Sequence, residues 1–252
     1  MTTLNIHHFI ACRANIGVLL RDPETGMTAS IDAPDAASIR HELKAKDWRL
    51  THLLITHHDW DHVSGNLELK RHFGCKVIGP AVEASNIPGI DIGVHDGDVI
   101  TLGSRDFKVI ETPGHTLGHV CYWGQDDCVA FAGDALFTMG CGRVKEGTYD
   151  MMWASLCKIA SLPPETMIYC GHDYAVANAR FAVTIDPSNA RLQDRARQLA
   201  SGGNSIPTRL SDELATNPFL RADDPTIRAS LGLADAPASH VFGALRDRKD
   251  RF

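Results

Sequence analysis

No stretch of this 252-residue chain approaches the roughly 18 consecutive apolar residues that a membrane span needs. The N-terminal run MTTLNIHHFIACRANIG has no basic segment leading into an unbroken apolar core, so no secretory signal is expected. Basic residues are not in surplus: 25 Lys and Arg face 31 Asp and Glu, a formal charge of −6, which argues against a nucleic-acid surface. The seven cysteines are odd in number and include no CxxC pair. That pattern excludes a disulfide framework and a cysteine-rich zinc site, and it fits reduced thiols in a cytoplasmic protein. Cys141 and Cys170 are expected to be buried structural thiols. No internal repeat and no low-complexity tract is visible.

What the chain does have is Thr56-His57-His58-Asp59-Trp60-Asp61-His62, directly after the apolar Leu53-Leu54-Ile55. It crowds three imidazoles and two carboxylates into six positions. Such heads repel or compete for solvent unless something positive holds them together. The spacing predicts a metal site at the C-terminal end of a β-strand, where α/β sheets place their ligands. Three further matches follow: Thr112-Pro113-Gly114-His115, Ala132-Gly133-Asp134 and Cys170-Gly171-His172. Each closes a strand-like run, and each sets one ligand-type residue just past a glycine, which permits a sharp turn and close backbone approach. Four strand ends thus deliver seven candidate ligands, the pattern of a dinuclear site.

Strand and helix patterns alternate up to residue 172. Strands are predicted at 5–11, 16–20, 27–31, 50–56, 76–79 and 99–102. A helix is predicted from Pro34-Asp35 to about 47, capped by Asp35, and others at 64–73, with Ser64 as its cap, and at 149–160. This mixture predicts two sheets between helices. Past His172 helical signals take over, at 173–183, 188–200, 225–231 and 239–250, punctuated by Pro187, Pro207 and Pro218. The reading is one unit over 1–172 and a helical unit over 173–252 that helps wall the site. Trp60 is expected to pack, and His119 to support the site without binding metal.

In this order, THHDWDH, TPGHTLGH, AGD and CGHDY resemble the metallo-β-lactamase fold. The block GCGRVKEGT (140–148) and the tail NPFLR…LRDRKDRF resemble its glyoxalase II branch, the hydroxyacylglutathione hydrolases. The resemblance covers nearly the whole chain. It implies an α/β protein, an αββα sandwich with a C-terminal helical domain. It implies a first metal on His57, Asp59 and His115, a second on Asp61, His62 and His172, and Asp134 bridging them. The ions implied are two divalent metals, zinc first, with iron or manganese as alternatives. One position departs from the family: H-x-H-x-D-H is expected, and this chain writes H-x-D-x-D-H. Asp59 can place a carboxylate oxygen about where the ring nitrogen stands, and its harder, anionic donor favours iron or manganese relative to a histidine. Rival arrangements bring in His58 and turn Asp59 away, or hold a single metal.

The same resemblance implies glutathione as the carrier, and glutathione has two carboxylates. Arg143 matches the family's basic residue after GCG. Lys145 stands where the family commonly has tyrosine. Tyr174 matches a glutathione-contacting tyrosine, and Arg246 with Lys249 match a basic pair in the tail. The implied activity is hydrolysis of S-D-lactoylglutathione or a related 2-hydroxyacyl glutathione. Metal-activated water attacks the thioester carbonyl, with Asp61 and Asp134 as the catalytic carboxylates. The alternatives are a mononuclear-iron persulfide dioxygenase and a degraded glutathione-binding homologue. The partner expected is the small thioester, with no nucleic acid and no membrane, on a monomer or small homo-oligomer.

Overall fold

Strands β1 (Asn5–Cys12), β2 (Asn15–Arg21) and β3 (Thr28–Ile31) form an antiparallel meander. Helix α1 (Ala36–Ala45) then reverses the chain so that β4 (His52–Leu54) lies parallel to β3. Asp35 caps α1 by accepting the Ser38 N–H at 2.7 Å, and Ile39 and Leu43 turn into the core. The one-turn α2 (Trp60–Val63) and α3 (Asn66–Phe73) lead to β5 (Lys76–Pro80) and β6 (Ile92–Val94), both parallel additions. The first sheet therefore runs β1-β2-β3-β4-β5-β6. A second meander follows: β7 (Val99–Leu102), β8 (Arg105–Glu111), β9 (Val120–Gly124) and β10 (Val129–Gly133). A small hairpin, β11 (Leu136–Phe137) and β12 (Gly140–Cys141), and α4 (Tyr149–Ala160) precede β13 (Met167–Cys170), which lies parallel to β10.

The remaining chain holds α5 (Ala175–Ile185), α6 (Ala190–Ala200), β14 (Thr208–Arg209), α7 (Leu210–Thr216), α8 (Pro225–Leu231) and α9 (Ala238–Asp250). β14 pairs with β13, so the second sheet runs β14-β13-β10-β9-β8-β7. This computed structural model describes residues 3–12 and 14–252. Met1, Thr2 and Arg13, which the 1–172 unit takes in, lie outside the described residues.

Three apolar clusters define the layers. Val18, Leu20, Leu54, Phe107, Tyr122 and Phe131 pack between the two sheets. Ile39, Leu43 and Leu69 cover the outer face of the first sheet, against Leu53 and Val77. On the outer face of the second sheet, Ala130 and Ile168 share a cluster with Met152 and Leu156 of α4, and with Phe181, Phe219 and Phe242 from beyond residue 172. The αββα sandwich expected from the sequence is what forms. The helical segment packs onto the sandwich through Phe181, Phe219 and Phe242, and it has a smaller cluster of its own around Ala179, Leu192 and Leu199.

Local departures have physical reasons. The predicted strand 50–56 shortens to β4, since the Thr56 N–H leaves the ladder and donates to the Asp32 carboxylate at 2.7 Å. The predicted helix from Ser64 starts two residues later, at Asn66 after Gly65, and the unexpected one-turn α2 precedes it. Ser64 ends α2 and donates its hydroxyl to the Pro34 carbonyl, so it caps nothing. Trp60, expected to pack, is 72% exposed on the outer side of α2. The hairpin β11–β12 and β14 were not expected, because two-residue strands leave no alternation to read.

Glu213, in α7, joins the segment past 172 to the hairpin. Fully buried, it accepts the Met139 N–H at 2.8 Å and the Asn217 amide at 2.9 Å, and it pairs with Arg195 and the Thr208 hydroxyl. Removing one partner of a buried, hydrogen-bonded ion pair typically costs about 3–5 kcal/mol. Glu213→Ala is therefore expected to lower the unfolding free energy obtained from urea titration by an amount in that range. A loss within the noise of a surface substitution would show that this hub holds nothing.

Candidate metal centre

Every sequence-predicted ligand lies at the C-terminal end of a strand. His57 and Asp59 follow β4, and Asp61 and His62 sit on α2, which that loop starts. His115 follows β8, Asp134 follows β10, and His172 follows β13. Close approach is enforced by glycine. At Gly171 a Cβ would stand 2.4 Å from Asp134 Oδ1 and 2.7 Å from the His62 ring. Gly133 has φ +46°, and a Cβ there would stand 2.6 Å from the Thr56 hydroxyl.

The seven residues converge as two groups with a shared member. His57, Asp59 and His115 form the first, with Asp59 Oδ2 3.6 Å from His57 Nε2 and 3.0 Å from His115 Nε2. Asp61, His62 and His172 form the second, with His172 Nε2 3.5 Å from Asp61 Oδ2 and 3.2 Å from His62 Nε2. Asp134 stands between: its carboxylate is 3.6 Å from His115, 3.4 Å from His62 and 3.3 Å from His172. Within each group the donor atoms lie within 4.8 Å of one another.

The rings are aimed from behind. His57 Nδ1 lies 2.9 Å from the Thr56 hydroxyl, His62 Nδ1 2.8 Å from Asp32, and His115 Nδ1 2.8 Å from the Arg143 carbonyl. With Nδ1 so engaged, Nε2 of each ring points inward, the arrangement that fixes tautomer and orientation in metal-binding histidines. His119 is expected not to bind, and the structure agrees. It is fully buried, its Nδ1 lies 2.8 Å from the Thr112 hydroxyl, and its Nε2 accepts the Asp134 N–H.

The donor set fits a divalent metal. His57 Nε2 and Asp134 Oδ1 are buried and have no hydrogen-bond partner, a costly state unless a cation completes it. The facing His62 and His172 Nε2 atoms cannot both carry protons at 3.2 Å. Without a cation, a proton takes its place. Burial pushes His62 down, but Asp134, Asp32 and Asp61 outweigh that and raise it to about 9. Burial favours protonated Asp134, yet His62 and His172 hold its carboxyl far below the usual range. The His115 and His57 contacts do the same for Asp59.

Asp59 and His58 face different groups. Asp59 faces the centre, whereas His58 turns away, with Nδ1 2.9 Å from Glu83 and Nε2 3.3 Å from Glu146. Four supporting residues were not read from the sequence. Asp32 braces His62 and Thr56, and Asn15 donates to both the carbonyl and carboxylate of Asp61 at 3.0 and 3.2 Å. Glu83 accepts the His58 and Gly118 N–H groups, and Glu146 accepts that of Leu117. Only Asp32 carries a local signal, a carboxylate that ends an apolar strand run.

The five residues expected to bind substrate line one cavity of about 470 Å³ together with Asp59, Asp61, His115, Asp134 and His172. Arg143 is 75% exposed at its rim. The Tyr174 ring stacks on His172, with centroids 5.0 Å apart. Lys249 Nζ donates to the Ala177 carbonyl at 3.1 Å. Arg246 is largely committed: it donates to the Cys141 carbonyl at 3.0 Å, pairs with Asp250 at 2.8 Å and lies over the Phe219 ring. Lys145 Nζ lies 2.6 and 2.8 Å from the two Asp59 oxygens. Cys141 and Cys170 are buried thiols, raised by that burial to about 11 and about 12, as structural thiols should be.

The family profile described as "Metallo-beta-lactamase superfamily" matches residues 24–172, and that described as "Hydroxyacylglutathione hydrolase C-terminus" matches 173–252. The hydroxyacylglutathione hydrolase of Rhizobium meliloti (strain 1021) is 50% identical over 256 residues, covering all of both chains. That of Chelativorans sp. (strain BNC1) is 48% identical over 254 residues, covering 99% of this chain and all of the relative. Among solved structures, ETHE1 from Myxococcus xanthus superposes with a TM-score of 0.67 at 23% identity, over 98% of each chain, a likeness of fold.

Two outcomes follow from this geometry. Asp59→Ala is expected to lower metal content measured by elemental analysis, while His58→Ala leaves it unchanged; the reverse pattern would make His58 the ligand. Metal must also displace the His62 proton, which the metal-free protein holds until pH rises through about 9. Metal affinity is therefore expected to climb as pH rises toward about 9 and to level off above it, with proton release on uptake below that pH. Calorimetry in buffers of different ionisation enthalpy reads this directly, and flat affinity below that pH would contradict it.

Proposed function

The chain belongs to the metallo-beta-lactamase superfamily, in its hydroxyacylglutathione hydrolase branch, and we propose that it hydrolyses 2-hydroxyacyl glutathione thioesters, S-D-lactoylglutathione foremost, with two divalent metals. The observation that carries the reading is the shared cavity, which the His/Asp cluster lines together with Arg143, Lys249 and Tyr174. A thioester carbonyl presented to the cluster leaves the two glutathione carboxylates for the cationic side chains. That division of labour favours hydrolysis of a glutathione thioester, as the names of the full-length relatives do, over the dioxygenase and degraded-site alternatives.

His57, Asp59 and His115 would hold one ion and Asp61, His62 and His172 the other, with Asp134 shared. When bound, such ions acidify water to a nucleophile near neutral pH and polarise the carbonyl, zinc being the first candidate and iron or manganese the others. Asp61 is suited to orient that nucleophile and take its proton, because it is half-exposed to the cavity and fixed from behind by Asn15. Asp134 stays ionised and holds the two halves of the centre together. The thiolate leaving group is weakly basic, so no strong general acid is needed, and none stands among the cavity residues. Tyr174, Arg143 and Lys249 position the tripeptide, and buried Arg246 stiffens the wall that presents Lys249. The division into a metal-holding part, 1–172, and a helical glutathione-binding part, 173–252, belongs to the same proposal, as does a cytoplasmic location. No helix among the described residues is long and apolar enough to cross a membrane.

Protein grown with ample zinc, iron and manganese is expected to carry more than one metal per chain and to hydrolyse S-D-lactoylglutathione. Lys249→Ala is expected to raise KM about 10- to 100-fold, the equivalent of the 1.5–3 kcal/mol of a charged hydrogen bond, with a smaller effect on kcat. A ceiling of one metal with full activity would overturn the dinuclear centre. An unchanged KM would remove Lys249 from the glutathione site.

A further inference from the structure

This chain departs from its family at two motif positions: aspartate replaces histidine at 59, and lysine replaces a common tyrosine at 145. Eighty-six residues separate them, yet in the fold they touch, with Lys145 Nζ 2.6 and 2.8 Å from the two Asp59 oxygens. The first exchange adds one negative charge to the centre and the second adds one positive charge, so the sum is unchanged. We propose that Lys145 is a positioning residue for the metal centre, which clamps Asp59 in its ligand position and cancels the charge that Asp59 brings.

Asp59 has few other constraints. It precedes α2 without making a side-chain cap, and its remaining close contacts, His57 and His115, are themselves candidate ligands. Three of the four histidines of the centre, His57, His62 and His115, are aimed by a group behind them, and a carboxylate with two equivalent oxygens needs such a group more, since it can rotate. Lys145 is well placed to serve. Its backbone N–H and that of Glu146 donate to the His115 carbonyl at 3.3 and 3.2 Å, and the Gly147 N–H donates to Gly114. His115 in turn points its Nδ1 at the Arg143 carbonyl. The loop that carries Lys145 is therefore tied to a ligand of the same half-site. The neighbouring pair repeats the register: Glu146 reaches His58 at 3.3 Å while Lys145 reaches Asp59, so two adjacent residues grip two adjacent residues. The clamp also keeps His58 out of the centre. Lys145 is 46% exposed and is available to neutralise Asp59 without being buried itself.

The inference rests on Asp59 being a metal ligand, and its test reads metal directly. Affinity is measured by competition with a chromophoric chelator, and stoichiometry by elemental analysis. Lys145→Ala is expected to weaken one of the two metals about 10- to 100-fold, the usual loss when a group behind a ligand is removed, while Lys145→Arg retains most of the affinity. Asp59→His alone and Lys145→Tyr alone should each weaken binding, the first by leaving an uncompensated ammonium beside the cation. Asp59→His with Lys145→Tyr should recover affinity beyond either single change. If Lys145→Ala raises KM for the thioester and leaves metal affinity intact, Lys145 is a substrate contact and the proposal is wrong. Strictly additive effects of Asp59→His and Lys145→Tyr would overturn it equally. Wild-type protein that takes up less than one metal sinks the metal reading and this inference with it. Wild-type protein with full metal and an unaffected Lys145→Ala variant sinks this inference alone.

Discussion

Four imidazoles and three carboxylates meet within a few ångströms at one edge of the sandwich, and that crowding is tolerable only around positive charge. The architecture around it answers this demand. Two sheets packed face to face bring the ends of β4, β8, β10 and β13 to the same edge. Glycine before Asp134 and before His172 removes the atoms that would keep those ends apart. Thr56, Asp32 and the Arg143 carbonyl hold the rings from outside, so the lone pairs have one direction to point. The raised affinity of His62 for a proton expresses the same demand by other means.

The ligand set was legible because it is local. Each ligand stands at a fixed offset from a strand end and a glycine, and those signals survive in a linear sequence. Helices α1 and α4 were legible for similar reasons, since their caps, Asp35 and Thr148, act within three residues. What could not be read acts across the fold. Asn15 reaches Asp61 over 46 residues, Glu83 reaches Gly118 over 35, and Glu213 reaches Met139 over 74. Nothing near Glu83 or Glu213 marks it as different from a solvated carboxylate. Trp60 misled because a large aromatic between two ligands suggests packing, whereas one turn of helix that aims Asp61 and His62 inward must aim Trp60 outward. Arg246 was legible as a cation but not as a buried one, since its partners, Cys141 and Asp250, lie on two different elements.

Charge distribution separates the surface from the site. The chain as a whole is acidic, yet the cavity gathers Arg143, Lys145, Arg246 and Lys249 beside the carboxylates of the centre. A dianionic ligand is thus drawn to one place on a molecule that otherwise repels it. Three of these four cations already lie in ion-pair range of protein carboxylates: Lys145 with Asp59, Arg246 with Asp250 and, at 3.8 Å, Arg143 with Asp250. The attraction for ligand therefore falls mainly on Lys249 and on the exposed, loosely paired Arg143.

The apolar cluster behind the second sheet draws Ile168 and Ala130 from one side of residue 172 and Phe181, Phe219 and Phe242 from the other. A nascent chain that has emerged only as far as His172 already holds every candidate metal ligand, yet one face of its second sheet is covered only by α4. On the ribosome the centre is thus complete in sequence before it is complete in packing, and the last 80 residues arrive as the missing half of a wall. Shuffling of gene segments at this boundary would separate two halves of one core, so the C-terminal helices and the sheets they cover are bound to travel together.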